Sequence, residues 1–121
     1  MKHAENFPIT TEKPWGNESL IFQGHGYAVK KISLNENQQT SLHFHNLKHE
    51  TISVHSGLLS IYLKYIDGTE ENIIMNPGES LPIAPKIIHR MSSKSGISVY
   101  FEAQTDYLDD VVRISDSYGR G

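Results

Sequence analysis

Short runs of branched and aromatic residues recur along this chain, and residues that favour turns separate them. The runs cover residues 28–34, 51–54, 58–66, 72–75, 80–84, 87–91 and 97–103. One separator, Asp67-Gly68, is a strong hairpin signal because both positions tolerate a positive φ. Regular short runs with turn signals between them predict an all-β sandwich or barrel. A chain of 121 residues has room for one such domain, so we expect a single domain over residues 1–121.

The two ends of the chain carry weaker signals. Residues 1–12 predict a loose arm or an edge strand. Residues 106–113 predict a short helix or turn, with acidic residues early and Arg113 late, as a helix dipole prefers. The apolar runs are too short for a transmembrane helix, and the first 15 residues lack the apolar stretch of a signal peptide. We therefore expect no membrane association.

The composition narrows the functional classes. Eleven basic against 14 acidic residues give a net charge of −3, so no basic excess favours nucleic-acid binding. The chain has no cysteine, which excludes disulfides and thiolate metal sites and favours a cytoplasmic location. A tight transition-metal site in this chain would have to use histidine and carboxylate.

Four of the seven histidines lie within thirteen residues, from His43 to His55. On a strand, residues two apart point to the same side, so His43 and His45 share a face. The chain then turns and enters an alternating run at Glu50, whose face also carries the apolar Ile52 and should point inward.

Two imidazoles and a carboxylate that converge inside a barrel make three ligands for a divalent metal. Zn, Fe(II), Mn, Ni and Co all accept such ligands, and the sequence does not choose among them. A fourth ligand would come from another strand. His89 is the best candidate, because it shares parity with Ile87 and Met91 on an apolar run.

The string from His43 to Gly57 resembles the first motif of the cupin superfamily, with two histidines, a glutamate and a glycine. Asn37 stands where that motif opens with glycine. A second motif over residues 78–89 departs further, since its Pro-x-Gly has become Pro85-Lys86-Ile87, or Ala84-Pro85-Lys86 in the alternative register. The resemblance implies a cupin-type double-stranded β-helix, a jelly-roll barrel of six to eight strands. It also implies that the metal ligands are His43, His45, Glu50 and His89.

A narrower resemblance covers nearly the whole chain. The entry, the middle and the tail of the chain are similar to the cupin domain of type II mannose-6-phosphate isomerases, which also carry a mannose-1-phosphate guanylyltransferase half. The matching strings are Lys13-Pro14-Trp15-Gly16, Ser41-Leu42-His43, His89-Arg90-Met91, Asp109-Asp110-Val111-Val112-Arg113 and Asp116-Ser117-Tyr118-Gly119-Arg120. The resemblance implies an isomerase-type cupin that stands alone. The family often has glutamine where this chain has His43.

Such an isomerase interconverts an aldose and a ketose through an enediol that a metal stabilises. An acid–base group must also reach the carbon-bound proton, and the candidates are Glu102, His49 and Tyr100. Glu102 shares strand parity with Tyr100 and Gln104, and either this face or the opposite one lines the cavity.

The small-molecule partner implied is a sugar or sugar phosphate, whose phosphate needs cationic groups. Our candidate substrate-binding residues are Lys30, Arg90, Gln104, Arg113 and Arg120. Other metallocupin chemistry on a sugar or small acid, by an epimerase or an Fe(II) dioxygenase, is an alternative, as is a non-catalytic sugar-binding cupin. Because an edge strand needs covering, we expect a homodimer.

Overall fold

The fold consists of two antiparallel β-sheets packed face to face. A computed structural model describes residues 6–119, and these contain twelve strands and no helix. The first sheet has the order β1-β2-β3-β11-β6-β9. Its strands are β1 (Ile9–Lys13), β2 (Gly16–Gly24), β3 (Tyr27–Leu34), β11 (Ser98–Thr105), β6 (Glu50–Ser56) and β9 (Ser80–Ile83).

The second sheet has the order β12-β5-β10-β7-β8, and the short β4 pairs with β10 beside this path. Its strands are β12 (Val112–Ser115), β5 (Leu42–Phe44), β10 (Ile88–Ser93), β7 (Leu59–Lys64), β8 (Glu70–Met75) and β4 (Gln38–Gln39). Strands consecutive in sequence often lie in opposite sheets. This arrangement confirms the predicted all-β jelly roll.

Alternation along the strands builds the core between the sheets. On β6, Glu50, Ile52 and Val54 are buried and their neighbours are not, as the sequence pattern predicts. The same alternation on β7 buries Leu59, Ile61 and Leu63. These side chains pack with others from both sheets, namely Trp15, Ile32, Leu34, Met75, Ile83, Met91 and Tyr100. The apolar core fills part of the barrel and leaves a cavity beside it.

The structure tests the predictions made for the two ends of the chain. Residues 9–13 form the edge strand β1, while residues 1–5 lie outside the described part. The helix predicted as one alternative for residues 106–113 is wrong. The chain makes a turn around Leu108 and Asp109 and then enters β12, whose ladder with β5 satisfies its backbone groups. Within residues 6–119, no helix is long and apolar enough to cross a membrane.

At two positions where this chain lacks a glycine of the cupin motifs, the residue present has a left-handed backbone conformation. Asn37 replaces the opening glycine and has φ 60°. In the second motif Lys86 has φ 73°, so the register Ala84-Pro85-Lys86 is the one that matches. Asparagine tolerates this conformation better than lysine does. The backbone of both motifs is therefore kept without their glycines.

Candidate metal centre and its cavity

Strands from both sheets bring the four predicted ligands together. β5 carries His43, and β10 places His89 directly opposite it in the ladder. His45 follows the end of β5, and Glu50 begins β6 in the other sheet. All four side chains are buried, with His89 fully so. The separation of His43 and His45 by two residues turns both rings inward, as expected for a strand.

A backbone carbonyl fixes the orientation of each imidazole. The Nδ1 atom of His43 lies 2.8 Å from the oxygen of Ser41, and that of His89 lies 2.9 Å from the oxygen of Ile87. The Nδ1 atom of His45 lies 2.6 Å from the oxygen of Asp110. Because a carbonyl only accepts, each Nδ1 carries the proton in the neutral ring. The Nε2 atom of each ring is then left with a lone pair for a ligand.

The Nε2 atoms of His45 and His89 face Glu50. Its Oε1 atom lies 2.9 Å from Nε2 of His89 and 3.3 Å from Nε2 of His45. These three buried atoms have no hydrogen-bond partner, and one ring nitrogen from each of the three histidines lies within 4.8 Å of the others. Buried acceptors that face one another are costly unless a cation lies among them. The residues present therefore fit a divalent metal ion with nitrogen and oxygen ligands.

The pKa values favour the protonation states that a metal needs. Burial lowers the pKa of His43 to about 3, and the neighbouring His89 and His45 add to this shift, so the ring stays neutral. Burial by itself would raise the pKa of Glu50. Contacts with His45 and His89 outweigh that effect and hold this pKa well below its usual range when their Nε2 atoms carry protons, and a cation in place of those protons acts in the same direction. A neutral His43 ring and an ionised Glu50 carboxylate bind a cation without first releasing protons.

Three of the four ligands, His43, His45 and Glu50, lie on the wall of a cavity of about 490 Å³. On β11 the face that carries Tyr100, Glu102 and Gln104 points towards the cavity. These three residues are buried, whereas Val99 and Phe101 on the other face are only partly buried. Tyr100 and Glu102 lie on the cavity wall. The wall is therefore polar near the ligands, which suits a hydroxyl-rich molecule.

Lys48 is a cavity residue that the sequence analysis missed. It is only 3% exposed, and its Nζ donates to Oε1 of Gln104 over 2.9 Å. Gln104 in turn donates through Nε2 to Oε2 of Glu102 over 3.3 Å. A signal was present, since position 48 shares the parity of Glu50 and Ile52 and so points inward if that alternation extends backwards. The three side chains form one buried polar chain that ends at the cavity.

The pKa of Glu102 lies well above its usual range. Burial is the main cause, the nearby Glu50 carboxylate adds to it, and the ammonium of Lys48 opposes it. Burial also raises the pKa of Tyr100, so this phenol keeps its proton. A buried carboxyl with a raised pKa can exchange protons near neutral pH.

Residues 2–116 match the sequence profile of the family described as mannose-6-phosphate isomerase C-terminal. The chain belongs to this family. A relative is the xanthan biosynthesis protein XanB of Xanthomonas campestris pv. campestris, 30% identical over 112 residues, which are 89% of this chain and 23% of that protein. Another is the mannose-1-phosphate guanylyltransferase of Escherichia coli K12, 28% identical over 98% of this chain and 25% of that protein. The chain thus spans about a quarter of the length of these curated relatives.

Solved structures support the cupin fold of this isomerase C-terminal family. Oxalate decarboxylase from Lactobacillus farciminis superposes with a TM-score of 0.81 at 13% identity, over 90% of this chain and 34% of that chain. The capsular polysaccharide assembling protein CapF from Staphylococcus aureus gives a TM-score of 0.79 at 14% identity, over 89% of this chain and 32% of that chain. At such low identity, these likenesses show the fold alone.

Three of the candidate substrate-binding residues lie at the cavity or next to it. Lys30 lines the cavity and forms an ion pair with Glu18 at 3.2 Å. Arg113 lines the cavity from β12, where it pairs with His43 in the ladder, and its side chain is exposed. Gln104 lies behind the wall in the polar chain with Lys48.

Two other predicted residues, Arg90 and His49, do not line the cavity. Arg90 lies on the outer face of its sheet, because it alternates with the inward His89, and it donates to the backbone oxygens of Thr40 and Ser115. His49 is exposed and does not line the cavity. Arg120 lies outside the described residues. Arg90 thus ties β10 to neighbouring segments, away from the cavity.

Proposed function

We propose that this domain is a metal-dependent isomerase of a sugar phosphate, of the type that interconverts mannose 6-phosphate and fructose 6-phosphate. The observation that carries the proposal is the presence of two kinds of group in one cavity. One is the cluster of three histidines with Glu50, and the other is the buried acid Glu102. The family and the names of the relatives support a mannose phosphate as substrate. The lack of cysteine favours the cytoplasm as the compartment.

In this proposal His43, His45, Glu50 and His89 hold a divalent ion. When bound, such an ion supplies a Lewis acid for the carbonyl and hydroxyl oxygens of the sugar. The Nδ1 contacts of the three histidines hold the rings in place before the ion arrives, so little reorganisation accompanies binding. Zn, Mn, Fe, Ni and Co all fit this ligand set.

Glu102 is the group proposed to move the proton between carbons. It takes the proton from C2 of the aldose and delivers it to C1, while a second proton passes from O2 to O1, so the enzyme ends as it began. Gln104 holds the Glu102 carboxyl from behind, and Lys48 holds Gln104. We prefer Glu102 to His49, because His49 is exposed away from the cavity. Tyr100 keeps its proton and can donate a hydrogen bond to a sugar hydroxyl.

For the phosphate we propose Arg113. Its guanidinium can bind two phosphate oxygens at once, and it lies at the cavity with no ion-pair partner among residues 6–119. The ammonium of Lys30 is partly neutralised by Glu18, so it is better suited to a sugar hydroxyl than to the dianion. Lys48 and Gln104 are not assigned to the phosphate, because their hydrogen bonds lead to Glu102.

The experiment is a coupled assay of mannose 6-phosphate with metal-free protein loaded separately with Zn, Mn, Fe(II), Ni or Co. We expect formation of fructose 6-phosphate with at least one metal and none with the metal-free form. Glu50→Ala serves as the inactive control. If the protein holds metal but does not convert mannose 6-phosphate, the isomerase proposal is wrong. Another metallocupin reaction or non-catalytic sugar binding would then be the function to test. A binding titration with mannose 6-phosphate then separates those two.

A further inference from the structure

Asp110 makes an unusual set of contacts with the loop that follows β5. This residue lies between β11 and β12, more than sixty residues away from the loop in sequence. Its Oδ1 accepts the backbone N–H of Asn46 over 3.0 Å. Its Oδ2 accepts those of Leu47 over 2.7 Å and Lys48 over 2.9 Å. One carboxylate thus satisfies three consecutive donors, which fixes the path of the loop.

The backbone of Asp110 reaches the metal cluster as well. Its carbonyl oxygen lies 2.6 Å from Nδ1 of His45. The carbonyls that orient His43 and His89 come from residues two positions before each ring, whereas the one that orients His45 comes from a distant segment. His45 therefore depends on tertiary structure for its orientation, and Asp110 supplies it.

The same contacts govern Lys48. Its backbone N–H is held by Asp110 while its side chain crosses the cavity wall to Gln104. Leu47 is 62% exposed, so packing of its side chain does little to hold the loop. The residues around Asp110, namely Leu108, Asp109 and Val111, line the cavity. The tail between β11 and β12 thus joins the ligand loop, the buried lysine and the cavity wall.

We propose that Asp110 is a positioning residue for the metal centre. Its carboxylate holds the backbone of the loop, and its carbonyl holds the ring of His45 with Nε2 facing Glu50. The inference rests on the metal centre of the proposed function. It predicts that metal affinity depends on a residue of the C-terminal tail that does not itself coordinate the ion. Loss of such outer contacts typically weakens metal binding by about 10–100-fold.

The test uses Asp110→Asn in the full chain. The new amide has one acceptor oxygen where the carboxylate has two, so whichever way it is turned its NH₂ group opposes at least one of the N–H groups of Asn46, Leu47 and Lys48. Asp106→Asn is the matched control, because it makes the same substitution four residues earlier in the chain. The Asp106 side chain does not line the cavity and makes no hydrogen bond to the loop. Co²⁺ is the probe, titrated into metal-free protein and followed by its visible absorption.

Amide hydrogen exchange of the metal-free protein gives a second readout. We expect Asp110→Asn to lose protection at one or more of the amides of Asn46, Leu47 and Lys48, and to bind Co²⁺ about 10–100-fold more weakly with an altered absorption band. Asp106→Asn should match the wild type in both measurements. Thermal unfolding of each variant ensures that all are folded during the titration.

Different failures have different meanings. Wild-type protein that binds Co²⁺ tightly, together with Asp110→Asn that binds it equally well, would overturn the positioning role and leave the metal centre intact. Retained protection at all three amides, those of Asn46, Leu47 and Lys48, would overturn it too. Wild-type protein that binds no Co²⁺ would overturn the metal centre itself, and the positioning role with it.

Discussion

The Nε2 atom of His89 and the Oε1 atom of Glu50 lie 2.9 Å apart, both fully enclosed and both without a hydrogen-bond donor. Nδ1 of His89 donates a hydrogen bond to the carbonyl of Ile87, so the Nδ1–H tautomer leaves Nε2 with a lone pair. Two lone pairs therefore face each other in a region with little water to screen them. A divalent ion or a shared proton relieves this repulsion, and the three-histidine surroundings favour the ion.

Removal of a ligand should abolish metal binding and preserve the barrel. We expect His43→Ala and Glu50→Ala each to weaken binding of Zn²⁺ or Co²⁺ by more than about 100-fold, beyond the effect of losing an outer contact. His55→Ala is the control, because it lies on the same strand as Glu50 but is exposed. Metal content by mass spectrometry and circular dichroism check the two halves of the prediction. Full metal content in either ligand variant would contradict the assignment.

Glu102→Gln should remove catalysis with little structural change. The amide is nearly the same shape, and its oxygen can still accept from Gln104. If Glu102 moves the proton, kcat should fall by roughly 10²–10⁴-fold while metal content stays at the wild-type level. Glu12→Gln, on an exposed position of β1, is the control and should leave kcat unchanged. A Glu102→Gln enzyme with wild-type kcat would exclude Glu102 as the acid–base group.

Lys48→Met tests the buried polar chain. The substitution removes the donor that Gln104 accepts, so Gln104 and Glu102 lose their fixed positions. An unsatisfied buried amide oxygen costs about 1–3 kcal/mol, partly offset because the charge of Lys48 is no longer buried. We expect kcat to fall by about tenfold or more with a small effect on KM, and a modest decrease in Tm. Lys31→Met, at an exposed position of β3, controls for loss of charge; equal kinetics in the two variants would argue against the chain.

Gly57 should be more sensitive to substitution than a turn glycine. Its φ is +81°, and an added Cβ would lie 2.5 Å from the backbone oxygen of Ile97. Gly68 has φ +89° but open space around it. Gly68→Ala therefore isolates the cost of the left-handed backbone, about 1–2 kcal/mol. Gly57→Ala adds a backbone clash and should lower Tm further. If urea unfolding gave the same loss of unfolding free energy for both variants, the clash would be relieved without cost.

The edge strand β1 leads us to expect a homodimer. Its outer backbone groups have no strand partner among residues 6–119, and Ile9 on this strand is 48% exposed. Light scattering after gel filtration should give twice the chain mass. Ile9→Lys should shift the balance towards monomer, whereas Ile66→Lys, in an exposed turn, should not. A wild-type monomer at high micromolar concentration would contradict the expectation.

Local alternation explains how much of this protein could be predicted from sequence. The two-residue period of a strand predicts most strands, the inward face of β6 and the shared face of His43 and His45. The strand β2 was not among the predicted runs, because its polar and apolar residues are mixed over Gly16–Gly24. The helix alternative for residues 106–113 failed since pairing with β5 outweighs a weak charge pattern.

The sequence by itself determined the strand pattern, the absence of sulfur ligands and the candidate ligand set of His43, His45, Glu50 and His89. Each of these is a property of composition or of neighbours in the chain. Only the tertiary structure decided that Lys48 joins Gln104 and that Asp110 holds the loop of His45. Those contacts join residues 50 or more positions apart. They depend on the register between strands and on how the sheets pack, which no local period encodes.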